Sequence, residues 1–293
     1  MFRQVRDLPH KTIHSAPGSA LSLPCTLLLA LALSACDGGG SGPEQPTGDF
    51  DLLSYNVAGL PEGVSGSSPS VNHPLISAKL NGYELALVQE DFWYHDLLAI
   101  SALHPYQSPP SVSSPTLTNL GDGLNRFSEL RFDVLYRVPW NQCNGVIDCG
   151  SDCLTDKGFS MAPTLVNNVR VDVYNLHMDA GGCAGDLQAR ESQRQQLADY
   201  MAANSAGNPV IVVGDFNQND LPAAFLSGTG LADACQAVGC GDNRIDKVLF
   251  RGSATLGLTP LQWRIPTEFV DGNQHPLSDH EPVAVRFRWE GGG

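Results

Sequence analysis

Five short polar motifs, each beside an apolar run, carry the residue types that handle phosphate. They are Ser54-Tyr55-Asn56, Gln89-Glu90-Asp91, Asn175-Leu176-His177, Gly214-Asp215-Phe216-Asn217 and Ser278-Asp279-His280. Carboxylates, two imidazoles and the carboxamides of Asn56 and Asn217 make a donor set for a hard divalent cation and for hydrolysis of a phosphate ester. Each motif alone has a plainer reading. Asn56 and Asn217 are favoured turn formers, Asp215 after Gly214 ends a strand, and Asp279 holds a turn. A single histidine such as His177 at a strand end is more often structural. Glu90 resists such a reading, because an acid closing an apolar strand must be solvated, paired or metal-bound.

The runs that must position these groups read as strands. Residues 50–55 are short and apolar, and residues 85–88 end directly on Gln89-Glu90. Val169, Val171 and Val173 alternate with Arg170, Asp172 and Tyr174, a period-two pattern running into Asn175-Leu176-His177. Residues 210–213 are continuously apolar, as in a strand buried on both faces. Val283, Val285, Phe287 and Trp289 alternate with Ala284, Arg286 and Arg288. Residues 186–201 read as a polar surface helix with Leu187, Leu197 and Met201 at helical spacing. Asn56, Glu90, His177, Asp215 and Asn217 follow their strands, whereas Asp279 and His280 precede theirs. An antiparallel last strand therefore brings all of them to one sheet edge. His73, His95, His104 and His275 lack such a context and read as surface or structural residues.

The N-terminal stretch reads as a targeting segment. Arg3, Arg6 and Lys11 precede an apolar run over residues 21–35, short for a membrane span. Leu33-Ser34-Ala35-Cys36 resembles a bacterial lipobox, which implies cleavage before Cys36 and lipidation of its sulfur; an ordinary export signal cut near Ala35 is the alternative. Residues 1–35 are then a signal peptide, residues 36–49 a Gly/Ser/Pro-rich flexible tether, and residues 50–290 one large domain. The expectation is an exported, membrane-anchored lipoprotein of a bacterial envelope, periplasmic or at the surface, and monomeric.

The formal charge is −14, from 17 Lys+Arg and 31 Asp+Glu. Removing residues 1–35 takes away three basic residues and one acidic one and leaves about −16, against broad attraction to nucleic acid. Cys143, Cys149, Cys153, Cys183, Cys235 and Cys240 remain for the exported domain, enough for three disulfides. Cys235 with Cys240 is the favoured local pair, and the other connections stay open.

Taken in order, and with Arg244-Ile245-Asp246, the motifs resemble those of the endonuclease/exonuclease/phosphatase, or DNase-I-like, superfamily over about residues 50–289. The resemblance implies an α/β fold, a four-layer α-β-β-α sandwich of two mixed sheets with its active site at one edge. It implies a metal-dependent phosphoric ester hydrolase using Mg²⁺ (or Mn²⁺). By position, Glu90 matches the family's metal-binding glutamate, with Asn56 beside it and Asp279 as a metal-side carboxylate. His177 matches the histidine on the scissile phosphate. Asp215 and Asn217 match the pair that positions the attacking water, and Asp246 matches the aspartate that orients His280. The base role falls to Asp215 and His280 together.

The stretch Asp152-Cys153-Leu154-Thr155-Asp156-Lys157-Gly158 resembles the Asp-x-Leu-x-x-Lys-Gly element of the sphingomyelinase branch, with Lys157 as a substrate-phosphate contact. Lys247 and Glu281 depart from the aromatic residues common at those places. A phospholipid head group is thus the favoured substrate. A nuclease acting on DNA and a phosphomonoesterase on soluble inositol-type phosphates are the rivals. The nuclease needs cations along the cleft, for which Lys157, Arg126, Arg131, Arg244 and Lys247 are the near candidates.

Overall fold

The computed structural model describes residues 45–146, 149 and 151–292. The export segment, Cys36 and most of the tether lie outside the described residues. The first strand, β1 (Thr47–Asn56), starts inside the expected tether, because residues 47–49 pair with the last strand, β12 (Val283–Gly291), down to Thr47 opposite Glu290.

Two six-stranded mixed sheets face each other. In the first, β1 lies antiparallel to β12 and parallel to β2 (Leu85–Gln89). Beyond β2 come β4 (Asn125–Ser128) and β3 (Tyr106–Gln107), and beyond β12 comes β11 (Leu256–Arg264). In the second, β7 (Val169–His177) runs parallel to β8 (Val210–Asp215) and antiparallel to β6 (Gly158–Val166). β5 (Tyr136–Pro139) flanks β6, while β10 (Asp246–Arg251) and β9 (Ala232–Asp233) follow β8.

Burial on both faces explains the continuous apolar runs. In β2, Leu85 and Leu87 enter the core between the sheets, while Ala86 and Val88 join the layer under α1 (Pro69–Leu80). In β8, Ile211 and Val213 face the other sheet, and Val210 and Val212 pack with Leu197 and Met201 of α3 (Ala184–Asn204). A period of two with both sets buried leaves no polar alternation to see. The layers are thus helix, sheet, sheet, helix, as the resemblance implied. Leu187 departs from expectation: it is exposed, and Ala189, Gln193 and Leu197 form the buried stripe of α3.

Buried polar groups tie the sheets together near the edge where the motifs end. Gln89 Nε2 donates to Asn175 Oδ1 at 2.7 Å, and Asn175 Nδ2 donates to the Val88 carbonyl at 2.8 Å. Arg126 is fully buried between the sheets and donates through Nη2 to the Val173 carbonyl at 3.1 Å. Amides left unpaired there would cost about 1–3 kcal/mol each, so the Gln89 and Asn175 bonds fix how one sheet sits on the other. Cys143 pairs with Cys153, Cys149 with Cys183 and Cys235 with Cys240, the last as expected.

Candidate active site

Strand register assembles the site. Asn56 pairs with Gln89 across β1 and β2, His177 with Asp215 across β7 and β8, and Asp215 with Asp246 across β8 and β10. Glu90 is the next residue after β2. Ser278, Asp279 and His280 immediately precede β12, whose first residue opposes Ser54. Six strands from two sheets, β1, β2, β7, β8, β10 and β12, therefore meet at one patch.

Asp215 is its hub. Its Oδ2 lies 3.3 Å from Asn56 Nδ2, 3.4 Å from His177 Nε2 and 3.7 Å from His280 Nε2. Its Oδ1 accepts the Asn217 N–H at 2.8 Å. On the other side of His280, Nδ1 meets Asp246 Oδ2 at 3.0 Å and Oδ1 at 3.2 Å. Asn56 Nδ2 also reaches Glu90 Oε1 at 3.0 Å, and His177 Nε2 lies 3.9 Å from that same oxygen. The Trp140 indole donates to the His177 carbonyl at 2.7 Å and fixes the end of β7, a contact that nothing in the local sequence pattern marks.

Two groups hold their place by unusual backbone. Glu90 has φ 57° and Asn217 has φ 48°, in the left-handed region that non-glycine residues occupy at a cost of about 1–3 kcal/mol. The Glu90 carbonyl is held by the amides of Gly59 at 3.0 Å and Phe92 at 2.8 Å. A Cβ at Gly59 would come within 2.4 Å of that carbonyl oxygen, so this close approach needs glycine.

The environment divides the charges. Burial, reinforced by the Lys157 and His280 cations, pushes His177 well below the ordinary histidine range, so its ring is neutral. Burial lifts the Asp215 carboxyl to about 6, and the Asp246 charge adds to the rise. For His280, burial works downward, but the Asp246 hydrogen bond and the charges of Asp246, Asp215 and Glu90 overcome it and raise the ring to about 9. At neutral pH the patch thus holds one imidazolium among three carboxylates, an anionic concavity that fits a divalent cation. Asp215, Asp246 and His280 place one ligand-type atom each within 4.8 Å of one another, but His280 as an imidazolium has no lone pair to give, so the carboxylates of the patch would hold the ion. Glu90, with no Lys or Arg ion pair among the described residues, is the acid best placed to bind a metal without breaking an existing pair.

Asp279 does not join them. It is exposed, and its carboxylate lies against Gly66 and beside Ser278 Oγ at 3.4 Å, in a polar cavity with Asp271 and His275. The structure therefore corrects its expected place on the metal side. The bend before β12 sends Asp279 and His280 in different directions.

The expected cleft cations are also committed elsewhere. Lys157 Nζ bonds Asp152 Oδ1 at 2.5 Å, with the lysine side chain 10% and the aspartate 1% exposed. Its Nζ also lies 3.4 Å from the Met178 carbonyl, which Asn217 Nδ2 bonds at 2.9 Å, so Lys157 does border the site. Asp152, five residues earlier in the same element, is the partner that sequence reading left without a role. Arg126 is inside the sandwich, Arg131 pairs with Asp133, Arg244 with Glu281, and Lys247 lies 3.6 Å from Asp233. A cavity of about 370 Å³ opens beside Glu90, with Lys157 and Asp152 in its wall.

Among the described residues, His73, His95, His104 and His275 take the surface or structural places expected of them. His73 and His104 are buried on the Val57 and Tyr83 carbonyls, His95 sits on Asp91, and His275 on Asp271 is exposed.

Known proteins are similar to this chain in sequence and in fold. A sphingomyelinase of Mycobacterium tuberculosis is 34% identical over 278 residues, covering 86% of this chain and 55% of that protein, so the chain spans about half the length of the curated relative. Beta toxin of Staphylococcus aureus, in a mutant with bound magnesium ions, superposes with a TM-score of 0.59 at 17% identity, covering 81% of this chain and 99% of that one. D. rerio TDP2 complexed with a single-strand DNA product superposes with a TM-score of 0.60 at 14% identity, covering 82% and 98%. The sequence profile of the Endonuclease/Exonuclease/phosphatase family matches residues 53–280. A profile match across most of the chain, on a patch built by six converging strands, settles the relationship: the chain belongs to the endonuclease/exonuclease/phosphatase family.

Proposed function

We propose that this chain is an exported, Mg²⁺-dependent phospholipid phosphodiesterase of sphingomyelinase type. The observation that carries the substrate class is the state of its cations. Each of the four other candidates has a carboxylate partner, and Arg126 is sealed between the sheets, so among the described residues no row of free cations lies along the cleft. A nuclease contacts several successive phosphates and needs such a row. A single phosphodiester in a lipid head group does not. The 34% identity to a sphingomyelinase supports the same choice.

Glu90, with Asn56 orienting its Oε1, would hold Mg²⁺ or Mn²⁺. The ion, when bound, supplies Lewis-acid charge to the phosphoryl oxygens and the leaving alkoxide. The chain's own groups divide the rest. Asp215, ionised above about pH 6 and beside the Asn217 amide, orients the attacking water and takes its proton. His280, kept protonated by Asp246, places a positive charge against the phosphate as negative charge builds up. Neutral His177 donates through Nε2, a bond that costs no buried charge. Three disulfides suit an oxidising compartment, in line with export; the lipid anchor at Cys36 rests on the Leu33-Ser34-Ala35-Cys36 motif alone.

The test is phosphocholine release from sphingomyelin in mixed micelles beside nicking of plasmid DNA, each with Mg²⁺ or EDTA. Release that EDTA and Glu90→Gln both abolish, with intact plasmid, is the expected result. Plasmid nicking with lipid untouched would transfer the function to the nuclease reading.

A further inference from the structure

The cavity beside Glu90 has an unusual wall for a phosphoesterase site. Leu60, Val64, Phe92, Leu117, Leu120 and Leu154 form its apolar part, from loops that are distant in sequence. Phe92 and Leu120 are buried at its base. Val64, Leu117 and Leu154 are 63%, 66% and 47% exposed, three branched apolar side chains left in water on one feature. Such a cluster needs an occupant, since scattered exposed leucines are ordinary but a lined concavity is not. Its single cation, Lys157, is neutralised by Asp152 at 2.5 Å. Glu90 itself forms part of the wall, so whatever fills the cavity adjoins the phosphorus.

From this placement we infer that the cavity is a leaving-group subsite for hydrocarbon: it takes the methylenes of the lipid alcohol next to the scissile phosphate. The inference rests on the phospholipid reading above and names the part of the lipid recognised. A quaternary ammonium is a poorer occupant, because Phe92 is the one aromatic ring in the wall. A second phosphate is poorer still against leucine and a neutralised lysine. The volume, about 370 Å³, amounts to on the order of ten water-sized groups, room for a run of methylenes and not for whole lipid tails.

The experiment is isothermal titration of the purified protein with n-alkylphosphocholines of increasing chain length, all below their micelle-forming concentrations. Each methylene that enters an apolar site strengthens binding by up to about fourfold, so Kd falls with chain length and then levels off when the cavity is full. In a combined Val64→Ser, Leu117→Ser, Leu154→Ser variant the dependence shrinks to under about twofold per methylene. These side chains are exposed, so the fold is kept, and the wild-type series is decisive even without the variant. Equal affinity at every chain length, or an unchanged slope in the variant, overturns the subsite. Sphingomyelin hydrolysis measured on the same preparation separates the causes. Hydrolysis without chain-length dependence removes the subsite alone, whereas plasmid nicking without lipid hydrolysis removes the phospholipid reading and the subsite with it.

Discussion

Replacing Asp246 by Asn isolates the charge that keeps His280 protonated. Asparagine retains the size of the side chain and an oxygen to accept from Nδ1, and it removes the negative charge. In the native site burial lowers the imidazole, and Asp246 leads the groups that bring it back up to about 9 from an ordinary 6.5. That gap corresponds to about 3 kcal/mol at ~1.4 kcal/mol per pH unit. Without the Asp246 charge, burial dominates and His280 titrates at about 6.5 or below. At pH 8 the protonated fraction then falls from roughly nine-tenths to about one-thirtieth, so activity there drops by about thirtyfold.

Asp215 moves in the same direction, because the Asp246 charge helps burial to raise it to about 6. Both limbs of the pH–rate profile therefore shift toward acid. Stability follows the sign of the His280 shift. A folded-state pKa above the unfolded value stabilises fully below pH 6.5, and that stabilisation is lost as pH rises through about 9. The native protein should lose melting temperature across that window, and the variant should not. The assay is an imidazole NMR titration of His280 beside pH–rate profiles on a soluble phosphodiester. A variant whose alkaline limb stays near 9 would refute the reasoning.

Other perturbations separate structure from chemistry. Lys157→Met strands the buried Asp152 carboxylate and should cost about 3–5 kcal/mol by denaturant unfolding, whereas Lys157→Met with Asp152→Asn should recover most of that; recovered stability without recovered activity would assign Lys157 to the substrate. Arg126→Met should leave the unfolding midpoint unchanged or raise it, since Nε and Nη1 have no partners and burial depresses the guanidinium to about 9; a loss above about 3 kcal/mol would show that the Val173 bond governs sheet packing. Removing the Cys149–Cys183 bridge, with a sequence separation of 34, should cost about 3–4 kcal/mol, against about 2 kcal/mol for Cys235–Cys240 at a separation of 5. Equal costs in calorimetry would contradict the loop-entropy argument.

The sequence exposed the parts of this site that depend on strand ends. Glu90, His177 and Asp215 close apolar runs, and the period of β7 needed no partner to be read. What stayed hidden depends on contacts between distant segments. Arg126 reads as a cleft cation until β4 is seen between the sheets with its side chain in the core. Asp279 and His280 are neighbours in sequence but diverge in space. The helix pattern of α3 was legible, yet Leu187 lies on its exposed side because Ala189 and Gln193, weak apolar signals, form the contact stripe. The apolar cavity left no motif at all, since its wall draws on loops separated by tens of residues.

The most direct test of the central claim is hydrolysis of sphingomyelin in water enriched in heavy oxygen, with products read by mass spectrometry. A water oriented by Asp215 and delivered to phosphorus predicts one heavy oxygen in phosphocholine, none in ceramide, and no product with EDTA. Heavy oxygen in ceramide, or no phosphocholine while DNA in the same buffer is cleaved, would contradict it.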